Sequence, residues 1–212
     1  TSYKNPYYPL NKSNSIGFVN TLKTTIDWYS KKTNQCQLNL LDSHDVPRAL
    51  STLKGDVSSL KLALLLLFLQ PGAPSIYYGT EAALMGYKEP DCRESFPWQQ
   101  DWKYDLRDFI RSLVILREKL FTYCKYELEW EPLGEDGLVA NAQRANLRVL
   151  AKKDFIYIFL NRSRKFKMQI DIDKFDAFFV LGEFESSKGV LGPQSAVAIE
   201  CPKEVFGKSG KV

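Results

Sequence analysis

The first 120 residues alternate between stretches with apolar residues at helical spacing and short, uninterrupted apolar runs. Phe18, Leu22 and Ile26 recur every four positions, which is typical of an amphipathic helix. Asp56 precedes a strongly apolar stretch and is a residue type favoured as a helix N-cap. Helices are predicted over residues 17–32, 55–70 and 105–120, short strands over 37–41 and 75–78, and a long loop over 80–104. This order corresponds to two βα units.

After residue 120 the pattern changes to short β-type runs separated by charged turns. Strands are predicted over residues 138–142, 147–151, 155–160, 168–172, 178–181 and 196–200. Such a series indicates a small antiparallel β-sandwich. We therefore predict two domains, residues 1–120 and residues 121–212. Because two parallel strands leave their faces and edges uncovered, the first domain is expected to be an incomplete α/β unit.

Composition narrows the classes of partner. The chain has 212 residues, of which 44% are hydrophobic and 13% aromatic, which is enough to build a buried core. Its 29 basic and 25 acidic residues give a net charge of only +4. The basic clusters are short and carry no nucleic-acid motif, so no nucleic-acid partner is expected. The apolar run over residues 60–69 is too short to span a bilayer, so no membrane partner is expected.

The cysteines and the motif content point away from metal and cofactor chemistry. Four scattered cysteines lack the spacing of a zinc site and indicate reduced thiols, as in a bacterial cytoplasm. Phosphate-binding loops, dinucleotide fingerprints and HExxH strings do not occur in the sequence, so we expect no cofactor and no metal. Residues 161–163 match the acceptor pattern for N-glycosylation, which is a weak signal on its own.

The string LLDSHDVPR, residues 40–48, places a polar cluster directly after a predicted strand. It contains His44, the single histidine of the chain, next to Asp45. An isolated His–Asp pair is more commonly a helix cap or an ion pair. In a barrel of parallel strands, however, polar side chains at the carboxyl ends of strands line the active site. The position of this pair therefore favours a role in chemistry.

Three strings in one order resemble the alpha-amylase family of glycoside hydrolases, and in particular its neopullulanase and cyclomaltodextrinase branch. They are LLDSHDVPR, PGAPSIYYGTE and EPDCRESFPW, at residues 40–48, 71–81 and 89–98. The resemblance implies the last two βα units of a (β/α)8 barrel followed by the β-sandwich called domain C. It also implies retaining cleavage of α-glucosidic bonds, which requires a nucleophile and an acid/base. The family's strands that carry those two groups have no counterpart in this sequence, and the resemblance adds no metal site.

The resemblance assigns roles to five residues. Asp45 matches an aspartate that grips the 2- and 3-hydroxyls of the cleaved sugar and stabilises the transition state, and His44 matches a histidine that binds the same hydroxyls. Arg93 matches an arginine that holds a more distant glucose unit. Its family partner is an aspartate, replaced here by Glu89, so a surface Glu89–Arg93 ion pair is an alternative. Asp91 could take either role. Asp42 and Arg48 are expected to hold the loop by hydrogen bonds and an ion pair rather than to touch sugar.

We therefore predict that the chain is a fragment of an α-glucan hydrolase and is inactive alone. The predicted ligand is an α-glucan oligosaccharide. The alternative is a non-catalytic glycan-binding or assembly module, which would give saturable heat with maltotriose where an isolated enzyme fragment would not. A third hypothesis keeps the same class of enzyme, with transglycosylation or α-1,6 cleavage as its activity. The uncovered barrel surface around Leu40, Ile76 and residues 64–67 predicts contact with the missing barrel half or self-association.

Overall fold

The computed structural model describes residues 13–98, 105–124, 128–143, 155–171 and 175–201. The chain forms two compact units, one built from Thr24–Arg117 and one that joins Ser15–Lys23 to the residues from Glu118 onward. The predicted domain boundary after residue 120 stays a prediction. Among the described residues, no helix combines the length and the apolarity needed to cross a bilayer.

The elements of the first part of the chain alternate helix and strand. They are α1 (Ser15–Asp27), α2 (Lys31–Gln35), β1 (Leu38–Leu40), α3 (Ala49–Thr52), α4 (Val57–Phe68), β2 (Ala73–Ser75), a 3-10 helix (Asp91–Arg93) and α5 (Leu106–Cys124). The division between the two units falls inside α1 and inside α5. The elements α3, α2 and the 3-10 helix were not predicted.

The first predicted helix is shorter than expected, because a second helix begins after it. The Ser30 side chain accepts a hydrogen bond from the Thr33 N–H and so caps α2. The buried Asn34 amide donates to the carbonyl oxygens of Ile26 (2.7 Å) and Tyr29 (3.3 Å), which binds the end of α1 to α2. The prediction of one helix over residues 17–32 is therefore wrong at its C-terminal end.

The two strands of the first unit pair in parallel, with Leu38 opposite Ala73 and Leu40 opposite Ser75. Pairing starts where the Ala73 N–H donates to the Gln37 carbonyl (2.7 Å). The strand predicted over residues 75–78 is wrong in position, because β1 ends at Leu40 and offers no partner beyond Ser75. Residues 76–78 nevertheless continue from the carboxyl end of β2, on the same side as the residues that follow β1.

Helix α4 contributes a large share of the buried apolar side chains among the described residues of the first unit. The Asp56 carboxylate accepts a hydrogen bond from the Ser59 N–H (3.0 Å), which confirms the predicted N-cap. Arg117 of α5 donates to backbone carbonyls at the C-terminal end of α4 and just before β2, among them that of Gln70 (3.1 Å).

Leu64, Leu65 and Leu67 are buried, so their predicted place on an open apolar surface is wrong. Leu40 is exposed, and Ile76 is partly exposed.

The described residues of the second unit form two antiparallel sheets. Its strands are β3 (Glu129–Leu133), β4 (Gly137–Gln143), β5 (Phe155–Asn161), β6 (Met168–Gln169), β7 (Asp176–Leu181), β8 (Phe184–Glu185), β9 (Val190–Leu191) and β10 (Ser195–Cys201). The larger sheet has the order β3-β4-β5-β10-β7 and the smaller one the order β6-β9-β8. Strands β3, β8 and β9 were not predicted, and the strand predicted over residues 147–151 lies outside the described residues.

Both sheets contribute to one apolar core. Phe159 on β5 and Val197 on β10 are fully buried, and they cluster with Leu191 on β9 and with Ile170 after β6. The antiparallel pairing predicted for this part of the chain is confirmed. Asn161 is buried at the end of β5, where its amide donates to the carbonyls of Phe166 and Gly192 (2.8 Å each) while its oxygen accepts from the Ser163 N–H (3.0 Å).

Candidate active-site wall after strand β1

The turn after β1 carries His44 and Asp45. The Asp45 N–H donates to the Ser43 hydroxyl (3.2 Å), which stabilises the turn locally. His44 Nε2 lies 3.2 Å from Asp45 Oδ1, and the two side chains are 54% and 69% exposed. The turn therefore presents an imidazole and a carboxylate to solvent as one polar pair.

The segment that contains the 3-10 helix brings a cation to this pair. Arg93 Nη2 lies 3.8 Å from Asp45 Oδ1 and forms an ion pair with Glu89, four residues earlier. The predicted Glu89–Arg93 ion pair is confirmed. Asp91 begins the 3-10 helix and is exposed. The structure thus joins four of the five predicted site residues through direct contacts and places Asp91 two positions before Arg93.

A cavity of about 440 Å³ opens beside Asp45. Its lining residues are Asp45, Val46, Pro47, Tyr87, Lys88, Glu89 and Cys92. Sequence reasoning did not select Tyr87, Lys88 or Cys92. The ring of Tyr87 provides an apolar face. The Lys88 ammonium group and the carboxylates of Asp45 and Glu89 are groups that bind hydroxyls. This combination suits a polar, hydroxyl-rich ligand.

Asp42 stabilises the turn after β1 from a buried position. It is only 4% exposed, and its Oδ2 accepts hydrogen bonds from the Ala49 N–H (2.8 Å) and from the Thr80 hydroxyl (3.0 Å). Burial raises the pKa of Asp42, against the opposing effect of these hydrogen bonds and of the Arg48 charge. The carboxylate therefore ties the residues after β1 both to α3 and to the residues after β2.

Arg48 makes a second connection between the two strand ends. Its side chain is fully buried, and Nη1 donates to the Tyr78 carbonyl (2.7 Å). The guanidinium carbon lies 4.8 Å from the centre of the Tyr77 ring and 5.0 Å from that of Tyr78, within the range of cation–π contacts. The predicted hydrogen bonds of Asp42 and Arg48 are confirmed, whereas the predicted ion pair is not seen among the described residues. Neither side chain lines the cavity beside Asp45.

The two tyrosines also anchor the segment that bears Arg93. The Tyr77 hydroxyl donates to the Cys92 carbonyl (3.3 Å) and the Tyr78 hydroxyl to the Glu94 carbonyl (2.9 Å). These bonds connect the end of β2 to both sides of Arg93. The residues that follow β1, the residues that follow β2 and the 3-10 segment therefore form one supported structure.

The described residues thus form a parallel strand pair with a polar cluster at its carboxyl edge, and the family comparison identifies the class of protein. Residues 7–162 match the model of the alpha-amylase catalytic domain, and the chain belongs to the alpha-amylase family. The family predicted from the three strings is thus confirmed.

Individual relatives and a solved structure show the extent of this similarity. It is 35% identical over 131 residues to an intracellular maltogenic amylase of Bacillus subtilis, covering 61% of this chain and 22% of that protein. It is 31% identical over 152 residues to a cyclomaltodextrinase of Geobacillus thermopakistaniensis, covering 70% and 24%. A cyclic α-maltosyl-(1→6)-maltose hydrolase from Arthrobacter globiformis has the same fold, with a TM-score of 0.70 over 90% of this chain and 40% of that chain at 24% identity. The chain thus spans about a quarter of the length of these curated relatives.

Proposed function

We propose that this chain supplies the seventh and eighth βα units and domain C of an α-glucan hydrolase of the neopullulanase and cyclomaltodextrinase type. The parallel pairing of β1 and β2, followed along the chain by antiparallel sheets, supports this assignment. The names of the relatives, a maltogenic amylase and a cyclomaltodextrinase, support maltodextrins or cyclodextrins as substrates of the whole enzyme. The first relative's name also supports an intracellular location, which fits the predicted bacterial cytoplasm.

The observation that carries the proposal is the position of Asp45, exposed on the turn after β1, beside the cavity and in contact with His44 and Arg93. In the proposed function its carboxylate accepts hydrogen bonds from two sugar hydroxyls, and His44 binds the same hydroxyls. Such contacts strengthen as the sugar ring flattens and positive charge develops, so they favour the transition state over the substrate. Arg93 and Glu89 hold a more distant glucose unit, with Asp91 available beside them.

The proposed reaction is retaining cleavage, in which a carboxylate attacks the anomeric carbon while an acid protonates the departing oxygen. The sequence offers no match to the family strands that bear those two groups. We therefore propose that the chain binds one side of the sugar but does not cleave the bond alone. Among the described residues, β1 and β2 pair only with each other, and Leu38 and Leu40 are exposed. These two features favour the remaining barrel strands as the partner.

Nuclear magnetic resonance tests the proposed site directly, because His44 is the single histidine and its ring signals need no further assignment. Maltotriose at millimolar concentration is expected to shift those signals progressively. Asp45→Asn should abolish most of the shift, whereas the matched change Asp176→Asn, at an exposed carboxylate on β7, should leave it unaltered. Equal shifts in wild type and Asp45→Asn would contradict the proposal.

Two further measurements separate the proposed fragment from the alternatives. Incubation with maltooligosaccharides should release no reducing sugar, and clear turnover would show that the chain is a complete catalyst. Calorimetric titration with maltotriose should give no saturable heat, since one wall of a cleft binds weakly. Saturable heat that survives Asp45→Asn would favour a non-catalytic glycan-binding module instead.

A further inference from the structure

The contact between Arg93 and Asp45 needs support from elsewhere. The two residues belong to segments almost fifty positions apart, and their charged atoms are 3.8 Å apart with side chains 49% and 69% exposed. Exposed ion pairs at such distances are weak and are screened by salt. The Glu89 carboxylate also competes for the same guanidinium nitrogen. Attraction between the charges is therefore insufficient to fix their relative position.

A part-buried contact lies immediately beside this exposed one. Cys92 is 1% exposed, and its thiol donates to the His44 carbonyl oxygen at 3.3 Å. The donor residue directly precedes Arg93, and the acceptor residue directly precedes Asp45. Although a thiol is a weak donor, this part-buried contact is less open to screening by water than the exposed charge pair. The bond thus joins the two segments one residue away from the groups that must meet.

The backbone of Cys92 is itself held in place. Its N–H donates to the Lys88 carbonyl (3.0 Å), and its carbonyl accepts from the Tyr77 hydroxyl. Gly86 packs so closely that an added Cβ would lie 2.8 Å from the Cys92 Cα. Because Cys92 is fixed to the end of β2 through Tyr77, its thiol can locate the His44 turn relative to a rigid support.

We propose that Cys92 is a positioning residue, which holds the His44–Asp45 turn against the 3-10 segment so that Arg93 meets Asp45. The inference rests on the proposed function only in assigning sugar binding to that pair. Cys92→Ala removes the donor and leaves a small void. Cys92→Ser keeps a donor, but a hydroxyl prefers a shorter hydrogen bond than 3.3 Å, so it should restore the contact in part.

A double-substitution experiment without sugar tests the geometry. Arg93→Gln is expected to shift the His44 ring signals in the wild-type background, because Arg93 touches the carboxylate that His44 contacts. In the Cys92→Ala background the same change should produce less than about half of that shift, since the two segments are no longer held together. Cys92→Ser should give an intermediate result. An Arg93→Gln shift of equal size in all backgrounds would overturn the inference.

Two controls make the outcome specific. Circular dichroism and urea unfolding of each variant exclude loss of the fold, which would collapse all signals rather than uncouple two residues.

In a second arm, maltotriose is added to the same proteins, and Cys92→Ala is expected to weaken the response of His44 roughly three- to tenfold. If Arg93 and His44 are coupled but maltotriose gives no response, the proposed function is contradicted while the positioning role of Cys92 stands. A sugar response that is unchanged in Cys92→Ala would overturn the role of Cys92 in binding.

Discussion

Replacement of Asp42 by alanine should destabilise the first unit more than any change at the exposed site residues. The carboxylate is buried and accepts hydrogen bonds from the Ala49 N–H and the Thr80 hydroxyl. Hydrogen bonds to a charged acceptor are worth about 1.5–3 kcal/mol each, and a buried donor left unpaired costs about 1–3 kcal/mol. Alanine removes the unfavourable burial of a charge at the same time. We therefore expect a loss of about 2–4 kcal/mol in the free energy of unfolding.

Two matched variants separate the parts of this effect. Asp42→Asn can keep one oxygen in the place of Oδ2, where both donors already converge on a single atom, so its cost should be about 1 kcal/mol. Thr80→Val removes one donor at nearly constant volume and should also cost about 1 kcal/mol. Urea unfolding followed by far-ultraviolet circular dichroism gives each free energy.

The effect of Asp42 also has a predicted pH dependence. Burial raises the pKa of Asp42, so the folded protein binds this proton more tightly than the unfolded chain does. The stabilising contribution of the side chain is then fully present below the unfolded pKa of about 4 and declines as the pH rises through the folded pKa. The stability gap between wild type and Asp42→Ala should therefore be larger at pH 4 than at pH 7. A gap below about 1 kcal/mol at both values, or one that widens with pH, would refute this reasoning.

Three further changes test other features of the first unit. Gly79→Ala should destabilise it by about 2 kcal/mol or more in urea unfolding, because Gly79 has a φ of 86° and an added Cβ would lie 2.4 Å from a Leu84 methyl carbon; unchanged stability would show that the turn relaxes freely. Arg117→Met should lower the midpoint of the same transition, since it removes the donors that bind three carbonyls near α4 and β2, and an unchanged midpoint would count against that role. Replacing the exposed Leu38 and Leu40 by serine should reduce self-association in light scattering, and unaltered scattering would argue against this strand face as a contact surface.

Local chemistry predicted the start of α4 and the position of the His44–Asp45 pair directly after a strand. Asp56 caps α4 as expected, because an acidic N-cap before a continuous apolar stretch needs no tertiary context. His44 and Asp45 follow a strand, as the string LLDSHDVPR indicated, whereas their contact with Arg93 was not predicted. In such cases the signal lies within a few neighbouring residues or within a motif whose order is preserved.

Features that depend on partners distant in sequence were missed. Strand β2 was placed too late, because the apolar residues Ile76 to Tyr78 suggest a strand although β1 ends before it could pair with them. Strand β3 was overlooked, although Trp130 among charged residues and the following Gly134 are an alternation and a turn signal that could have revealed it. Cys92 gave no sign of its role, because a lone cysteine does not reveal which carbonyl its thiol will meet.

The buried amide of Asn161 bears on how this protein can be produced. A secretory eukaryotic host attaches glycans to Asn-x-Ser acceptors while the chain is still emerging, before the side chain is enclosed. In the folded unit the nitrogen that would carry the sugar is already committed to the Phe166 and Gly192 carbonyls. A chain modified there could not close its β-sheets around that residue, so expression by secretion in yeast or mammalian cells is expected to yield glycosylated, misfolded material unless the acceptor serine is changed.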